Sequence, residues 1–182
     1  MSGFVIVAHG APSSLDAPEA ALAALAQAVR IHAPALDIRS ATLAMPGALE
    51  RALNGLAQPK IYPFFMARGW FVGRELPRRL AELGKQAEIL PPYGTDPHLP
   101  ELIASLLRDE MAQTGLTEVI LAAHGSKVAR NSKDTAYEMA ETLCDTFALT
   151  SLHVALIEEA PFVGNVARAH PKALCLPFFA QR

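Results

Sequence analysis

The sequence predicts an α/β protein of two similar halves, each a parallel sheet flanked by helices, related by internal duplication. Three observations carry that prediction. Short apolar runs alternate with Ala- and Leu-rich stretches of helical spacing along the 182 residues. The run "VIVAHGAPS" at 5–13 has a counterpart in "ILAAHGSKV" at 120–128. An apolar strand closing on "PFF" occurs at 61–65, within "IYPFFMARGWFVGRELP", and again at 174–179, within "LCLPFFAQR".

Element by element, Phe4–Ala8 is a compact apolar run and reads as a strand, while Ala17–Arg30 has helical spacing. Asp37–Leu43 reads as a strand, Gly47–Leu56 as a helix, Lys60–Met66 as an apolar strand and Arg74–Leu83 as a helix. Ala87–Leu90 is a strand that runs into the breaker-rich "PPYGTDPHLP" at 91–100. The order then restarts with helix Glu101–Thr114, strand Glu118–Ala123, helix Lys133–Phe147, strand Leu152–Leu156, helix Phe162–Ala169 and strand Ala173–Phe179. Strands that alternate with helices form βαβ units, hence parallel sheets with helices on both faces. The expected organisation is an N-terminal half over 1–90, a hinge and connecting helix over 91–116, and a C-terminal half over 117–182.

Composition narrows the class of function. A chain that is 51% hydrophobic and 19% charged suits a globular fold with a sizeable core. Net charge −2 and a pI near 6.3 provide no bulk attraction for nucleic acid or anionic membranes. Cys144 and Cys175 form no CxxC pair, which argues against a disulfide framework or zinc knuckle and points to a reducing compartment. Both are expected to be core thiols. No apolar stretch approaches the ~18 residues of a membrane span, and "MSGFVIVAHG" lacks a basic leader, so the expected setting is the cytoplasm.

The duplication can be counted. His9 to Pro46 is 37 positions, as is His124 to Pro161; Pro46 to Pro63 is 17 and Pro161 to Pro177 is 16. The halves therefore align at an offset of 115 that slips to 114 near the end, a period long enough for a duplicated domain rather than a solenoid. In open parallel sheets ligands gather at the carboxyl ends of strands near a switch point. His9 and His124 each stand at such an end, followed by Gly, and the cleft between the halves is the expected place for chemistry. A single His-Gly pair is commonly a buried ring beside a tight turn; two equivalent copies favour a site. The Arg that precedes the strand-end His of a histidine phosphatase is absent, since Ala8 and Ala123 occupy that place. No GxxxxGK[ST], GxGxxG or GxSxG pattern occurs, which disfavours nucleotide, dinucleotide and α/β-hydrolase readings.

An apolar strand ending in "HGS", an acid three residues before a Pro, and "PFF" entering a Gly-containing loop resemble the class II tetrapyrrole chelatases, most closely sirohydrochlorin chelatases of the CbiX and SirB type. The resemblance spans almost the whole chain, including "PPYGTDPHLPELI" at 91–103. It implies two flavodoxin-like domains and ATP-independent insertion of Co2+ or Fe2+ into sirohydrochlorin, toward sirohaem or cobalamin. It also implies that the ion is a substrate and that no cofactor is permanently bound. The family pattern places a His after the first strand, a Glu three residues before the Pro, and a second His eight residues after the Pro of the "PFF" segment. In the first half His9 is present, but the acid position is Leu43 and the second His position is Phe71. In the second half His124 and Glu158 match, and the remaining position, 185, lies beyond Arg182. The reading expects the native polypeptide to continue past Arg182 and supply that histidine.

Within this resemblance His124 is the base or metal ligand, since imidazole changes protonation near neutrality and ligates divalent ions. Glu158 takes up protons or steers the cation, with its neighbour Glu159 as a second carboxylate. A macrocycle rich in carboxylates calls for basic partners, for which Lys127 and Arg130 come first and Lys133, Arg68 and Arg74 second. Ser126 donates a hydrogen bond or caps a turn, and His9 lines the substrate site. Trp70 and Phe71 form an apolar wall or pack their loop. His32, His98, His153 and His170 have no metal partner at a nearby sequence spacing and are expected to be structural or superficial. The competing expectation is a non-catalytic tetrapyrrole or metal binder. Protohaem ferrochelatase is disfavoured by the short chain and the lack of membrane-facing segments.

Overall fold

Val5 and Val7 of strand β1 (Ser2–Ala8) are buried on one side of a sheet, and Ile6 and Ala8 on the other. A strand buried on both faces requires helices on both. Helix α1 (Asp16–His32) brings Leu22 and Ala26 against Ile6, Ala8 and Ile38, the last from strand β2 (Asp37–Thr42). Helices α2 (Ala48–Leu53) and α3 (Leu76–Glu82) bring Leu49, Leu53, Leu76 and Leu80 to the Val5/Val7 face. Strands β3 (Gln58–Pro63) and β4 (Glu88–Ile89) complete a parallel sheet of order β2-β1-β3-β4. Because the chain leaves β1 to one side and returns to the other, the switch point falls at the carboxyl end of β1.

This computed structural model describes residues 2–125, 131–147, 149 and 151–180. They divide into two compact units, the first Met1–Tyr93 with Ala180–Arg182 and the second Gly94–Phe179. In the second unit, strand β5 (Val119–Ala123) is buried at every residue and lies between β6 (Leu152–Leu156) and β7 (Leu174–Phe178), all parallel. Helix α5 (Asn131–Phe147) packs on β5 and β6, burying Ala136, Met139, Ala140 and Leu143. Helix α4 (Leu99–Thr114) packs against α5, and α6 (Val163–Ala169) against β5 and β6. The order β6-β5-β7 repeats β2-β1-β3, so the duplication read from sequence is also a duplication of topology.

Two expectations change. The helix expected over 74–83 is instead a π-helical turn, Phe71–Glu75, closed by the Leu76 N–H bonding the Phe71 carbonyl, followed by α3. Pro77 explains the widening: it has no N–H to donate and its ring would crowd the carbonyl four residues back. The turn places Glu75 in the interior, 5% exposed, where Arg78 and Arg79 donate to its carboxylate at 2.7–3.0 Å. Arg79 also donates to the Leu43 carbonyl, tying this turn to the end of β2. The second change concerns the thiols: Cys144 is half-buried, but Cys175 is exposed. On the edge strand β7, Cys175 is exposed between half-buried Leu174 and Leu176, so it is not a core thiol.

Candidate active site

Both His-Gly pairs occupy the residues that leave the central strands, and in both the glycine is required. Gly10 has φ +75° and Gly125 has φ +71°, the left-handed region where a side chain is strained. A Cβ on Gly10 would stand 2.8 Å from Thr42 Cβ and 3.0 Å from Ala44 Cβ; one on Gly125 would stand 3.2 Å from Leu156 Cβ and from Glu159 Cγ. The sharp turn holds the preceding histidine at the carboxyl end of the sheet and lets the end of the neighbouring strand approach.

Backbone pairing shows which residues of the two ends correspond. In the first unit Leu43 N–H donates to the Ala8 carbonyl at 2.8 Å and Ala44 N–H to the His9 carbonyl at 2.9 Å. In the second unit Ile157 N–H donates to the Ala123 carbonyl at 3.1 Å and Glu158 N–H to the His124 carbonyl at 3.0 Å. The sheet registers agree, with Ala8 opposite Thr42 and Ala123 opposite Leu156. The offset between the halves is thus already 114 at β6, and the turn before Pro161 holds one residue more than the turn before Pro46. The spatial counterpart of Glu158 is Ala44, not Leu43 as counting to the proline had it. Leu43 corresponds to Ile157, lies in the core at 3% exposure, and offers no chemistry.

The extra residue leaves the Glu158 carboxylate beside the His124 ring, with Oε1 3.4 Å from Nε2. Both side chains are accessible, 62% for His124 and 41% for Glu158. Two ligands about 2.0–2.1 Å from a divalent ion at tetrahedral angles stand about 3.3–3.4 Å apart. The pair therefore has the spacing to share either a proton or a cation. Glu159 points to Lys133, whose Nζ lies 3.4 Å from Oε2, so Lys133 is engaged by a carboxylate of its own unit.

The first unit builds something different at the same topological place. His9 Nδ1 lies 2.6 Å from the Gly10 carbonyl, which can only accept, so Nδ1 is the donor of this bond. The ring meets Phe71 edge-on, centroids 4.2 Å apart, and Phe71 in turn contacts Phe65 and Trp70. Phe71, at the position where the resemblance implied a second histidine, is part of an aromatic cluster around His9. Trp70 stays 57% exposed. Ala44 provides no carboxylate at the position that Glu158 holds just after β6.

Ser126, Lys127 and Arg130 lie outside the described residues. Arg68 and Arg74 follow β3, and both are exposed. His32 is exposed and His98 is paired with Asp96 at 3.2 Å. The expectation for His153 and His170 is corrected: with Glu118 they form a cluster whose ligand atoms all lie within 4.8 Å of one another. They follow Glu118 at sequence distances of 35 and 52 positions, so only the pairing of parallel strands brings them together.

Comparison with known proteins agrees with this architecture. The CbiX family model matches residues 3–110, which covers the first unit and most of α4; His124 and Glu158 lie outside that span. No curated protein matches the chain. Among solved structures, CbiX, the terminal enzyme for biosynthesis of siroheme in denitrifying bacteria, is 42% identical with a TM-score of 0.87, over 97% of this chain and 79% of that one. A multi-domain protein of Deinococcus radiodurans with structural similarity to chelatases is 20% identical with a TM-score of 0.74, over 98% of this chain and 44% of that one. SirB from Bacillus subtilis with Fe3+ is 14% identical with a TM-score of 0.74, over 97% of this chain and 75% of that one. The last two share the fold alone. A family model matched over more than half the chain, together with 42% identity to CbiX along nearly all of it, places this chain in the CbiX family.

Proposed function

We propose that the chain is a sirohydrochlorin chelatase, a lyase that inserts Co2+ or Fe2+ into sirohydrochlorin without ATP and works through its second unit. The observation that carries the reading is the His124–Glu158 pair, 3.4 Å apart at the end of a central strand, in a chain 42% identical to CbiX. Insertion exchanges one divalent ion for two pyrrole protons: two N–H bonds break as metal–nitrogen bonds form, and the protons leave the macrocycle. His124 Nε2 accepts the first proton or holds the incoming ion until the ring nitrogens replace it. Glu158 takes the proton on toward solvent, which its partial exposure permits. A mixed nitrogen and oxygen pair discriminates weakly between Co2+ and Fe2+, so supply sets the metal. Ser126, Lys127 and Arg130 retain their assignment to the substrate carboxylates and His9 to the substrate wall. The ion enters and leaves as a substrate, in a cytoplasmic setting.

The test is anaerobic insertion followed by the absorbance of sirohydrochlorin, with Co2+ and with Fe2+ separately. His124→Ala removes the base and is expected to abolish the spectral change. Glu158→Gln keeps shape and removes the proton acceptor; insertion should slow on the order of 10²-fold or more while macrocycle binding is retained. Equal insertion rates in wild type and Glu158→Gln would remove Glu158 from the mechanism, and no insertion by the wild type would return the chain to the non-catalytic binder.

A further inference from the structure

Glu118, His153 and His170 gather at the amino-terminal end of the second sheet, away from the pair just described. Glu118 precedes β5, His153 is the second residue of β6, and His170 follows α6 on the way to β7. The six residues from Glu118 to His124 run along β5 and span roughly 20 Å at strand rise. The two groups therefore cannot serve one ion.

Backbone bonds fix all three positions. Leu174 N–H donates to the Glu118 carbonyl at 2.8 Å, His170 N–H to the Val166 carbonyl at 2.9 Å, and Ala173 N–H to the His170 carbonyl at 3.1 Å. His153 is held opposite Ile120 in the ladder. The His170 Nδ1 stands 3.3 Å from Glu118 Oε2, and the rings of His153 and His170 stack with centroids 3.7 Å apart and planes at 24°. Ser151 Oγ lies 3.4 Å from His153 Nε2. All three residues are half-buried, and Glu118 and His170 line a surface hollow together with Thr117 and Lys172.

An ion pair alone would need one histidine. Two stacked imidazoles repel if both are protonated, and a rotation of the His153 ring that opens the stack lets a divalent cation take an in-plane lone pair from each ring and balance the carboxylate. The 3.3 Å spacing of His170 and Glu118 matches the separation of about 3.3–3.4 Å expected for two ligands of one tetrahedral ion. We infer that Glu118, His153 and His170 form a second divalent metal site. Two imidazoles and one carboxylate select a borderline transition ion such as Zn2+, Co2+ or Ni2+ over Mg2+ or Ca2+, and leave positions for water. The bound ion links the start of β5, the start of β6 and the α6–β7 turn. This inference does not rest on the proposed activity.

The experiment uses the full chain without an affinity tag, carrying His124→Ala so that the first pair is silent, and titrates it with Co2+ alone and Zn2+ alone. One equivalent should bind, with visible Co2+ d–d absorption, and the melting temperature should rise with metal. Adding His153→Gln and His170→Gln should remove the bound equivalent, the absorption and the thermal shift together. Glu118→Gln, which keeps the ring stack, should weaken Co2+ binding by about tenfold or more with the circular dichroism spectrum unchanged. If the His124→Ala chain binds no ion, or if the triple variant and Glu118→Gln bind as tightly as it does, the site does not exist. Chelatase assays on the wild type decide the proposed function separately.

Discussion

Glu158 donates its backbone N–H to the carbonyl of His124 at 3.0 Å and sets its carboxylate 3.4 Å from the ring of that same residue. The two are joined by main chain and side chain at once, so the pair is positioned by the sheet rather than by a long loop. Its geometry depends on the left-handed turn at Gly125 and on the register of β6.

Substituting the two glycines should separate strain from crowding. Gly125→Ala forces a side chain into the left-handed region and should cost about 1–2 kcal/mol, with Cβ contacts of 3.2 Å that neighbours can relieve. Gly10→Ala meets the same strain plus approaches of 2.8 Å and 3.0 Å to Thr42 and Ala44, so it should cost more. Urea titration measures both. Insertion should fall more in Gly125→Ala, because the displaced residues are neighbours of the His124–Glu158 pair; a larger stability loss in Gly125→Ala than in Gly10→Ala would contradict the geometry.

The sheet register predicts opposite fates for two adjacent substitutions. Leu43→Glu buries a carboxylate among Val5, Leu49 and Ile61 and should destabilise the first unit by several kcal/mol. Ala44→Glu puts the acid where Glu158 stands in the second unit and should leave the fold intact. Thermal melting distinguishes them, and Co2+ binding by Ala44→Glu should exceed that of the wild type, because the introduced carboxylate faces His9. Equal tolerance of both would mean that counting from the proline, not the sheet register, gives the right correspondence.

Glu75 supplies a pH test. Hydrogen bonds from Arg78 and then Arg79 hold its carboxyl down at about 2, below the ordinary value of 4.5. A group depressed on folding stabilises above its unfolded value and loses that contribution as the pH falls through the folded one. Glu75→Gln should therefore lower the melting temperature at pH 7, and the gap to wild type should narrow as pH drops from 4.5 toward about 2. A gap that stays constant through this window would show that the carboxylate charge is not what holds the turn.

A core truncation calibrates these effects. Leu121, in the middle of β5, is fully buried, and Leu121→Ala should cost about 2–5 kcal/mol through lost burial and a residual cavity. Chemical denaturation should show this as the largest loss among the substitutions in the second unit.

Much of the fold was legible because strands buried on both faces write themselves as continuous apolar runs, as in Val119–Ala123. The helix over Arg74–Leu83 was misread at its start because helical spacing does not register a single π turn. Cys175 was misplaced because edge position is a property of the sheet and not of the residue. His124 stood out because the His-Gly turn recurs, whereas Glu158 came from the resemblance to the chelatases, which places an acid three residues before Pro161. Their partner positions in the first half were blurred by one residue, because proline spacing counts chain length and the extra residue before Pro161 leaves no mark on that count.

By itself the sequence determined the alternation of elements, the duplication and the two His-Gly turns, all of which rest on local pattern, while the acid at Glu158 entered through the resemblance to the chelatases. The tertiary structure decided which backbone groups pair, hence that Glu158 stands where Ala44 does, that Phe71 closes on His9, and that Glu118, His153 and His170 meet. Parallel pairing is the physical reason: it aligns strand ends that are tens of residues apart along the chain, and register alone selects which side chains face one another there.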